Sequence, residues 1–257
     1  MNHLNALICG ATQGIGKSTA EMLAHAGANI TLMARDPEKL QLVMEGLAQN
    51  GQQKHQILVA DFNNNLSVQQ AMENFIQNNT IHILVNNTGG PNPGKASEAS
   101  IDEFRNAFNL HLVNFQIITQ ALLPKMKVSG YGRIINVIST SVKQPLPNLG
   151  VSNTIRGAVA NWAKTLANEL GPFGITVNNV LPGATATGRL EQIIQNKALK
   201  TGITEEEVTD EMKKEIPLGR LAKPEEIAAG IFFLASPAAS YINGINLPID
   251  GGRTSCL

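Results

Sequence analysis

The chain has 257 residues, 43% of them hydrophobic and only 4% aromatic, and its 20 Lys and Arg residues are balanced by 20 Asp and Glu residues. This length suits one α/β domain, and zero formal charge gives no global attraction for nucleic acid or for an anionic membrane surface. The longest apolar run is about half the length needed to span a bilayer, and the first residues carry no basic leader segment. Cys9 and Cys256 lack the spacing of a disulfide framework or a metal site. We therefore expect a cytoplasmic protein without a metal.

Short apolar runs alternate with amphipathic stretches along the chain, which predicts strands alternating with helices. The runs are continuously apolar, as is typical of strands buried on both faces of a parallel sheet. Right-handed crossovers place helices on both faces. We therefore predict an α/β fold, a single Rossmann-type domain over residues 1–257 with a doubly wound, seven-stranded parallel sheet whose ligand crevice lies at the carboxyl ends of the strands. The predicted strands lie at 6–9, 30–33, 57–59, 83–85, 133–137, 175–177 and 245–249, and the predicted helices begin near Lys17, Pro37, Ser67, Ile101, Ser152 and Pro224.

A glycine-rich turn, GATQGIG, follows the first strand at residues 10–16. Glycines let the backbone turn sharply and approach a pyrophosphate, which the free N–H groups at the start of the next helix bind. Alone, the turn would also fit a merely tight strand–helix connection. The candidate cofactor-binding residues within it are Gly10, Thr12, Gln13, Gly14, Ile15 and Gly16.

The ends of the next strands carry further candidates for cofactor binding. Arg35 follows the second strand, where a site that prefers NAD(H) has an acidic residue, and its planar guanidinium suits a 2′-phosphate. We therefore expect NADP(H), without excluding NAD(H). Asp61 after the third strand, and Asn87 and Gly89 after the fourth, lie where adenine contacts and close backbone approach are expected, although each alone would also fit ordinary turn chemistry.

Two segments near the predicted crevice are candidates for lining the substrate pocket and for closing over it. Pro91 and Pro93 stiffen a loop expected to line the substrate side, unless it is an ordinary surface loop. The segment 188–216 is long, charged and helix-prone, and it follows a Pro-Gly turn at a strand end. We expect it to form a substrate lid; the alternative is a solvated pair of surface helices.

Taken together, these motifs make the chain resemble the short-chain dehydrogenase/reductase family, and most of all its 3-oxoacyl-acyl-carrier-protein reductases. The resemblance covers nearly the whole chain and includes NNTGG at 86–90, GRIINVIS at 132–139 and Asp250-Gly251-Gly252. It implies a nicotinamide cofactor, a small-molecule substrate, and commonly a homotetramer, or else a homodimer, built through long helices. It also implies cofactor-binding roles for Pro182, Gly183, Thr187 and the residue at position 156.

The resemblance breaks down at the catalytic positions. The family uses an asparagine, a serine, and a tyrosine four residues before a lysine. Ser139 matches the serine, but His111 stands at the asparagine position, Ser152 at the tyrosine position and Arg156 at the lysine position. The register is fixed, because the sequence from Arg156 to Gly183 follows the family pattern without a gap. The remaining phenols, Tyr131 and Tyr241, are not expected at a strand end facing the crevice.

These replacements change the chemistry available at the site. Serine is a poor acid near neutral pH, and arginine keeps its proton, although its fixed charge can stabilise an oxyanion, hold the cofactor ribose or dock an anionic substrate. We expect His111 to titrate near pH 6.5 and to act through a water, unless its role is structural. Two functions stay open: an NADP(H)-dependent reductase of a small-molecule or acyl-thioester carbonyl, and a cofactor-binding sensor or assembly subunit without reductase chemistry. Elimination or epimerisation in the same crevice is a third, lesser alternative.

Overall fold

The computed structural model describes residues 1–49 and 51–256, and within them the seven predicted strands form one sheet in the order β3-β2-β1-β4-β5-β6-β7. Every neighbouring pair is parallel. The predicted fold class is therefore confirmed. The order reverses between β1 and β4, and such a switch point opens a crevice at the carboxyl ends of the strands. The strands are β1 Asn5–Cys9, β2 Asn29–Ala34, β3 Gln56–Val59, β4 Ile83–Asn86, β5 Gly132–Val137, β6 Ile175–Pro182 and β7 Asn246–Ile249.

Helices connect the strands, and the six predicted helix starts agree with observed first residues to within three positions. In one case a capping side chain sets the boundary. Asn64 accepts hydrogen bonds from the N–H groups of Leu66 and Ser67, so the third helix begins ahead of Ser67. The helices are α1 Gly14–His25, α2 Pro37–Glu45, α3 Asn65–Asn78, α4 Ile101–Phe108, α5 Asn114–Ser129, α6 Gly150–Leu170, α7 Gly188–Thr201, α8 Glu205–Lys214 and α9 Pro224–Ala235.

The sheet is covered on both faces, as its continuously apolar strands predict. Leu7 and Ile8 are neighbours in β1, point to opposite faces, and are both fully buried. Ile8 belongs to a core formed with α1 and α9, whereas Leu7 belongs to a core formed with α3, α5 and α6. Among the described residues, no helix is both long and apolar enough for a membrane span.

A row of asparagine side chains, three of them buried and one half-buried, crosses the sheet from β4 to β7. Asn86, Asn136, Asn179 and Asn246 are register partners on neighbouring strands. Each amide donates to the side-chain oxygen of the next asparagine, at 2.9, 2.9 and 2.8 Å. Because a buried amide without a partner is costly, a one-residue slip of any of these strands would be penalised. The row therefore fixes the strand ends that carry the candidate site.

The lid segment 188–216 consists of α7 and α8, joined through Gly202, which has a left-handed backbone (φ +74°). Only Ile194 of α7 and Val208 of α8 are buried, and the two helices are linked by an ion pair between Lys197 and Glu211 at 2.7 Å. The helical content of the segment is confirmed. Its role as a substrate lid stays a prediction.

Candidate active site

The glycine-rich turn is packed so closely that side chains are excluded at its first and last glycines. A Cβ atom on Gly10, which has φ +60°, would lie 2.7 Å from the backbone oxygen of Asn87, and one on Gly16 would lie 2.3 Å from the oxygen of Gly10. Gln13 precedes α1 without a side-chain cap, so in the described chain no side chain closes the first turn of that helix. A tight turn that leads into an uncapped helix start fits the pyrophosphate of a dinucleotide.

Loops after three strands meet at this turn. The side-chain amide of Asn87, after β4, donates to the oxygens of Cys9 and Gly10 at 3.3 Å. Thr187, which caps α7 after β6, is so close that a Cβ atom on Gly14 would lie 3.0 Å from its methyl carbon. The structure therefore brings together three parts of the predicted cofactor site.

The other predicted cofactor residues lie around this junction. Thr12 and Ile15 are half-buried in the turn, Gly89 has open space around its Cα, and Pro182 is the last residue of β6. Gly183 donates its N–H to the oxygen of Ile249 at 2.9 Å, and a Cβ atom there would lie 2.7 Å from the Cα of Asp250. Their assignment to the cofactor stays a prediction.

Arg35 lies directly after β2, is exposed, and has no hydrogen bond or ion pair within the part of the chain that the structure describes. The neighbouring carboxylate does not neutralise it, because Asp36 caps α2 by accepting the Lys39 N–H at 3.1 Å, and the same hydrogen bond lowers the pKa of Asp36. Asp61 accepts both N–H groups of Asn63 at 3.0 Å, so its visible role is to shape a turn. Arg35 is thus available for an anionic ligand.

The guanidinium of Arg156 is anchored beside Ser139 at the end of β5. It is buried in α6, and its Nη1 donates to the backbone oxygens of Val137 at 3.1 Å and Ile138 at 2.9 Å. Ser139 accepts the N–H of Ser141 at 3.1 Å, so its own hydroxyl hydrogen is free to be donated to a ligand. This arrangement places one fixed positive charge and one hydroxyl donor at the same strand end.

Ser152 lies one turn before Arg156 on α6, as the spacing of four residues predicts. Its side chain is half-buried, and its hydroxyl has no hydrogen-bond partner among residues 1–49 and 51–256. Because burial of Arg156, followed by the nearby charge of Arg189, lowers the pKa of Arg156 only to about 10, the guanidinium is still charged at neutral pH. Neither Ser152 nor Arg156 is therefore a ready proton donor.

His111 is fully buried in a π-helical turn, Asn109–Val113, between α4 and α5. Such turns are frequent at functional sites. Its Nδ1 is 2.7 Å from the hydroxyl of Thr88, and its Nε2 has no partner among the described residues. Burial, and next the charge of Arg156, lower the pKa of His111 well below its usual value. The expectation that His111 titrates near pH 6.5 is therefore wrong, because the environment favours the neutral ring.

Both tyrosines lie at the opposite edge of the sheet. Tyr131 immediately precedes β5, and its hydroxyl faces the oxygen of Ala235 at 3.5 Å. Tyr241 lies before β7 and is fully exposed. The expectation that neither phenol faces the crevice is confirmed. Within the described residues, no group of three or more His, Cys, Asp or Glu side chains is placed to hold a metal ion.

Sequence reasoning overlooked Arg189 and the pairing of Thr88 with His111. Arg189, in the first turn of α7, donates from Nη2 to the backbone oxygen of Pro91 at 2.5 Å and so ties the proline-bearing loop to the lid segment. The sequence does contain a signal for Arg189, because it lies two positions after Thr187 and is the first charged residue of the predicted lid. No sequence pattern indicates the contact of Thr88 with His111, because this contact depends on how the end of β4 packs against the π-helical turn.

Comparisons with known proteins give concordant results. The family model described as "Enoyl-(Acyl carrier protein) reductase" matches residues 10–254. The NADPH-dependent reductase BacG of Bacillus subtilis is 30% identical over 256 residues, with 98% of each chain covered. The 3-oxoacyl-[acyl-carrier-protein] reductase FabG of Aquifex aeolicus is 32% identical over 252 residues, with 96% of each chain covered. L-sorbose reductase from Gluconobacter frateurii, solved with NADPH and L-sorbose, is similar with a TM-score of 0.93 and 28% identity, over 100% of this chain and 98% of that one.

Proposed function

This chain belongs to the short-chain dehydrogenase/reductase family and is an oxidoreductase, and we propose that it reduces the carbonyl group of a small molecule or an acyl thioester with NADPH. The observation that carries the proposal is the placement of Ser139 and Arg156 at one strand end of the crevice whose glycine-rich turn fits a dinucleotide. The exposed Arg35, whose guanidinium suits a 2′-phosphate, supports NADP(H) over NAD(H).

The residues of the crevice suit the oxygen side of the reaction. NADPH, when bound, supplies the hydride. Ser139 donates its hydroxyl hydrogen to the substrate oxygen, and Arg156, held by two backbone oxygens, stabilises the negative charge that develops there. The proton for this oxygen comes from water, since both tyrosines are at the other edge of the sheet and His111 is held neutral. Ser152, smaller than the tyrosine of the family pattern, leaves room for that water.

The test has two stages that separate binding from turnover. Fluorescence titration with NADPH and with NADH measures cofactor binding and preference. Loss of NADPH absorbance is then followed with acetoacetyl thioesters, small ketones and oxo acids. We expect NADPH to bind more tightly than NADH and at least one carbonyl class to be reduced. Tight NADPH binding with no turnover of any class would reject the reductase proposal.

One observation favours a second function, a cofactor-binding sensor or assembly subunit without turnover. None of the groups described at the reaction end is a ready acid at neutral pH, because Arg156 stays charged and the pKa of His111 is lowered. The double substitution Ser152→Tyr with Arg156→Lys tests whether only the proton donor differs. A reductase activity that rises in this variant would mean that the pocket still accepts a carbonyl substrate, whereas no gain would favour the second function.

We also propose a homodimer or homotetramer, with α4 and α6 at the contact between subunits. An open apolar depression of about 410 Å³ lies on these helices, lined by Phe104, Arg105, Phe108, Asn109 and Ile155. Phe108 is 41% exposed, which is costly on a free surface. Sedimentation of the wild type and of Phe108→Glu tests this proposal, since the charged variant should dissociate.

A cytoplasmic location belongs to the same proposal. Both cysteines are free thiols, and burial raises the pKa of the Cys9 thiol to about 12, which keeps it unreactive. Cys256 is exposed and is suited to a reducing compartment. Fractionation of the source cells with an antibody against the chain would test this location.

A further inference from the structure

Two guanidinium groups flank a gap beside Gly90 at the carboxyl edge of the sheet. The Nη2 atom of Arg156 lies 3.4 Å, and that of Arg189 lies 3.9 Å, from the point that a Cβ atom on Gly90 would occupy. Arg156 is buried in α6, and Arg189 is half-buried at the start of α7. Because the two side chains come from different elements, the fold itself brings these like charges together.

No carboxylate compensates the two charges in the part of the chain that the structure describes. Neither arginine takes part in an ion pair there, and both donate to neutral backbone oxygens, Arg156 to Val137 and Ile138 and Arg189 to Pro91. Burial lowers the pKa of each guanidinium, and the charge of Arg189 further lowers that of Arg156. A buried charge beside a half-buried like charge, without a counter-ion, is costly, so an anion in the gap would stabilise this arrangement.

The neighbourhood of the gap indicates the source of the anion. Arg156 donates from Nη1 to the oxygen of Ile138, the residue before Ser139, so one guanidinium links the gap to the strand end that carries the free hydroxyl. An anionic group bound there and a carbonyl at Ser139 would belong to one small molecule. A carboxylate matches the planar fork of a guanidinium and can accept hydrogen bonds from two of them.

We propose that the substrate is a 2-oxo acid whose carboxylate is bound between Arg156 and Arg189. This inference rests on the proposed reductase function and names its substrate class. The carbonyl carbon receives a hydride from NADPH and the carbonyl oxygen receives a proton. NADPH and the proton are thereby consumed, NADP⁺ and a 2-hydroxy acid are formed, and the carboxylate is unchanged.

The test compares 2-oxohexanoate with its methyl ester, which lacks the charge. In the wild type we expect the acid to have the higher kcat/KM. Arg189→Gln should lower kcat/KM for the acid about 10- to 100-fold, mainly through KM, as expected for loss of a charged hydrogen bond. The ester should change less than about 3-fold, because it never had this contact. Arg189→Lys should restore part of the preference, and Lys200→Gln, which removes an exposed charge from the same helix, should have no effect.

Gly90→Ala is a second variant, for use if Arg189→Gln fails to fold. Gly90 has no left-handed φ, and the added methyl would be in ordinary contact with both guanidinium groups. The methyl would occupy part of the gap, so kcat/KM should fall more for the acid than for the ester. Equal losses for acid and ester in both variants would overturn the proposal, because they would indicate that Arg189 only holds the loop at Pro91. A rise in the NADPH Kd of Arg189→Gln would also overturn it, because the arginine would then bind the cofactor.

A separate binding experiment distinguishes an error in the reductase proposal from an error in the anion site. If the wild type reduces neither probe, calorimetry measures the binding of 2-oxohexanoate and of its ester to the protein saturated with NADP⁺. Binding of the acid that Arg189→Gln abolishes, with no binding of the ester, would support the anion site while the reductase function fails. Equal affinity for acid and ester, or no binding of either, would reject the anion site.

Discussion

The cofactor end and the reaction end of the crevice are built in different ways. At the cofactor end, the backbone determines the shape: Gly10 and Gly16 leave no room for side chains, and Asn87 ties the turn to β4. At the reaction end, side chains from separate elements determine the chemistry, with Ser139 after β5 and Arg156 in α6. A backbone constraint permits one residue type, whereas a side-chain position can be replaced without loss of the fold. Reaction chemistry can therefore diverge while the cofactor end stays unchanged.

The largest effect that this contrast predicts is at the glycine turn. Gly16→Val should abolish measurable NADPH binding, because its first side-chain carbon alone would lie 2.3 Å from the oxygen of Gly10 and the turn would have to move. Gly157→Ala is the matched control: apart from its chain neighbours and its own helix backbone, no atom lies within 4 Å of the added carbon, so NADPH binding should be retained. Fluorescence titration measures both. Retained NADPH binding in Gly16→Val would refute the assignment of this turn to the cofactor.

The next largest effect concerns the reaction end alone. Ser139→Ala should lower kcat about 100-fold or more, as found for loss of one hydrogen-bond donor to a developing oxyanion. The NADPH Kd should be unchanged, since Ser139 contacts the backbone of Ser141 rather than the glycine turn. Steady-state kinetics and fluorescence titration on the same preparation measure the two quantities. Parallel losses of binding and turnover would mean that the two ends are not separable in the way proposed.

Arg35 is an exception at the cofactor end, because here a side chain rather than the backbone is proposed to bind the cofactor. Arg35→Gln should weaken NADPH binding about 10- to 100-fold, the size of a lost charged hydrogen bond, and should leave NADH binding nearly unchanged. The variant should fold normally, because Arg35 is exposed and has no partner in the described ranges 1–49 and 51–256. Lys54→Gln removes another exposed charge, at the opposite edge of the sheet where β3 begins, and serves as the control. An equal loss for both cofactors would mean that Arg35 does not contact a 2′-phosphate.

The same contrast explains what could be predicted from the sequence. The seven strands could be predicted from local apolar runs. The glycine turn could be predicted because glycine is the residue type that a close backbone approach requires. The asparagine row and the gap between Arg156 and Arg189 depend on which strands and helices become neighbours, so no local pattern reports them. The error about His111 has the same origin, since burial and the charge of Arg156 are set by packing.

The smallest predicted effect is a pH dependence that arises from His111. Its pKa is lowered in the folded protein, so the unfolded chain binds the proton more readily, and the stability that the neutral ring contributes is present above about pH 6.5. That contribution is lost as pH falls below this value, toward the lower folded-state pKa. When the pH is lowered from 7.5 to 5.5, the free energy of unfolding should therefore fall less in His111→Gln than in the wild type. These two pH values lie about one unit on either side of the free histidine pKa.

Urea denaturation at both pH values measures this difference. His3→Asn is the control, because it also removes one imidazole, at an exposed position whose left-handed backbone (φ +68°) asparagine adopts readily. An identical pH dependence in His111→Gln and the wild type would contradict a buried, neutral ring. In that case His111 would be accessible to protons at neutral pH, and water would no longer be required as the proton source at the reaction end.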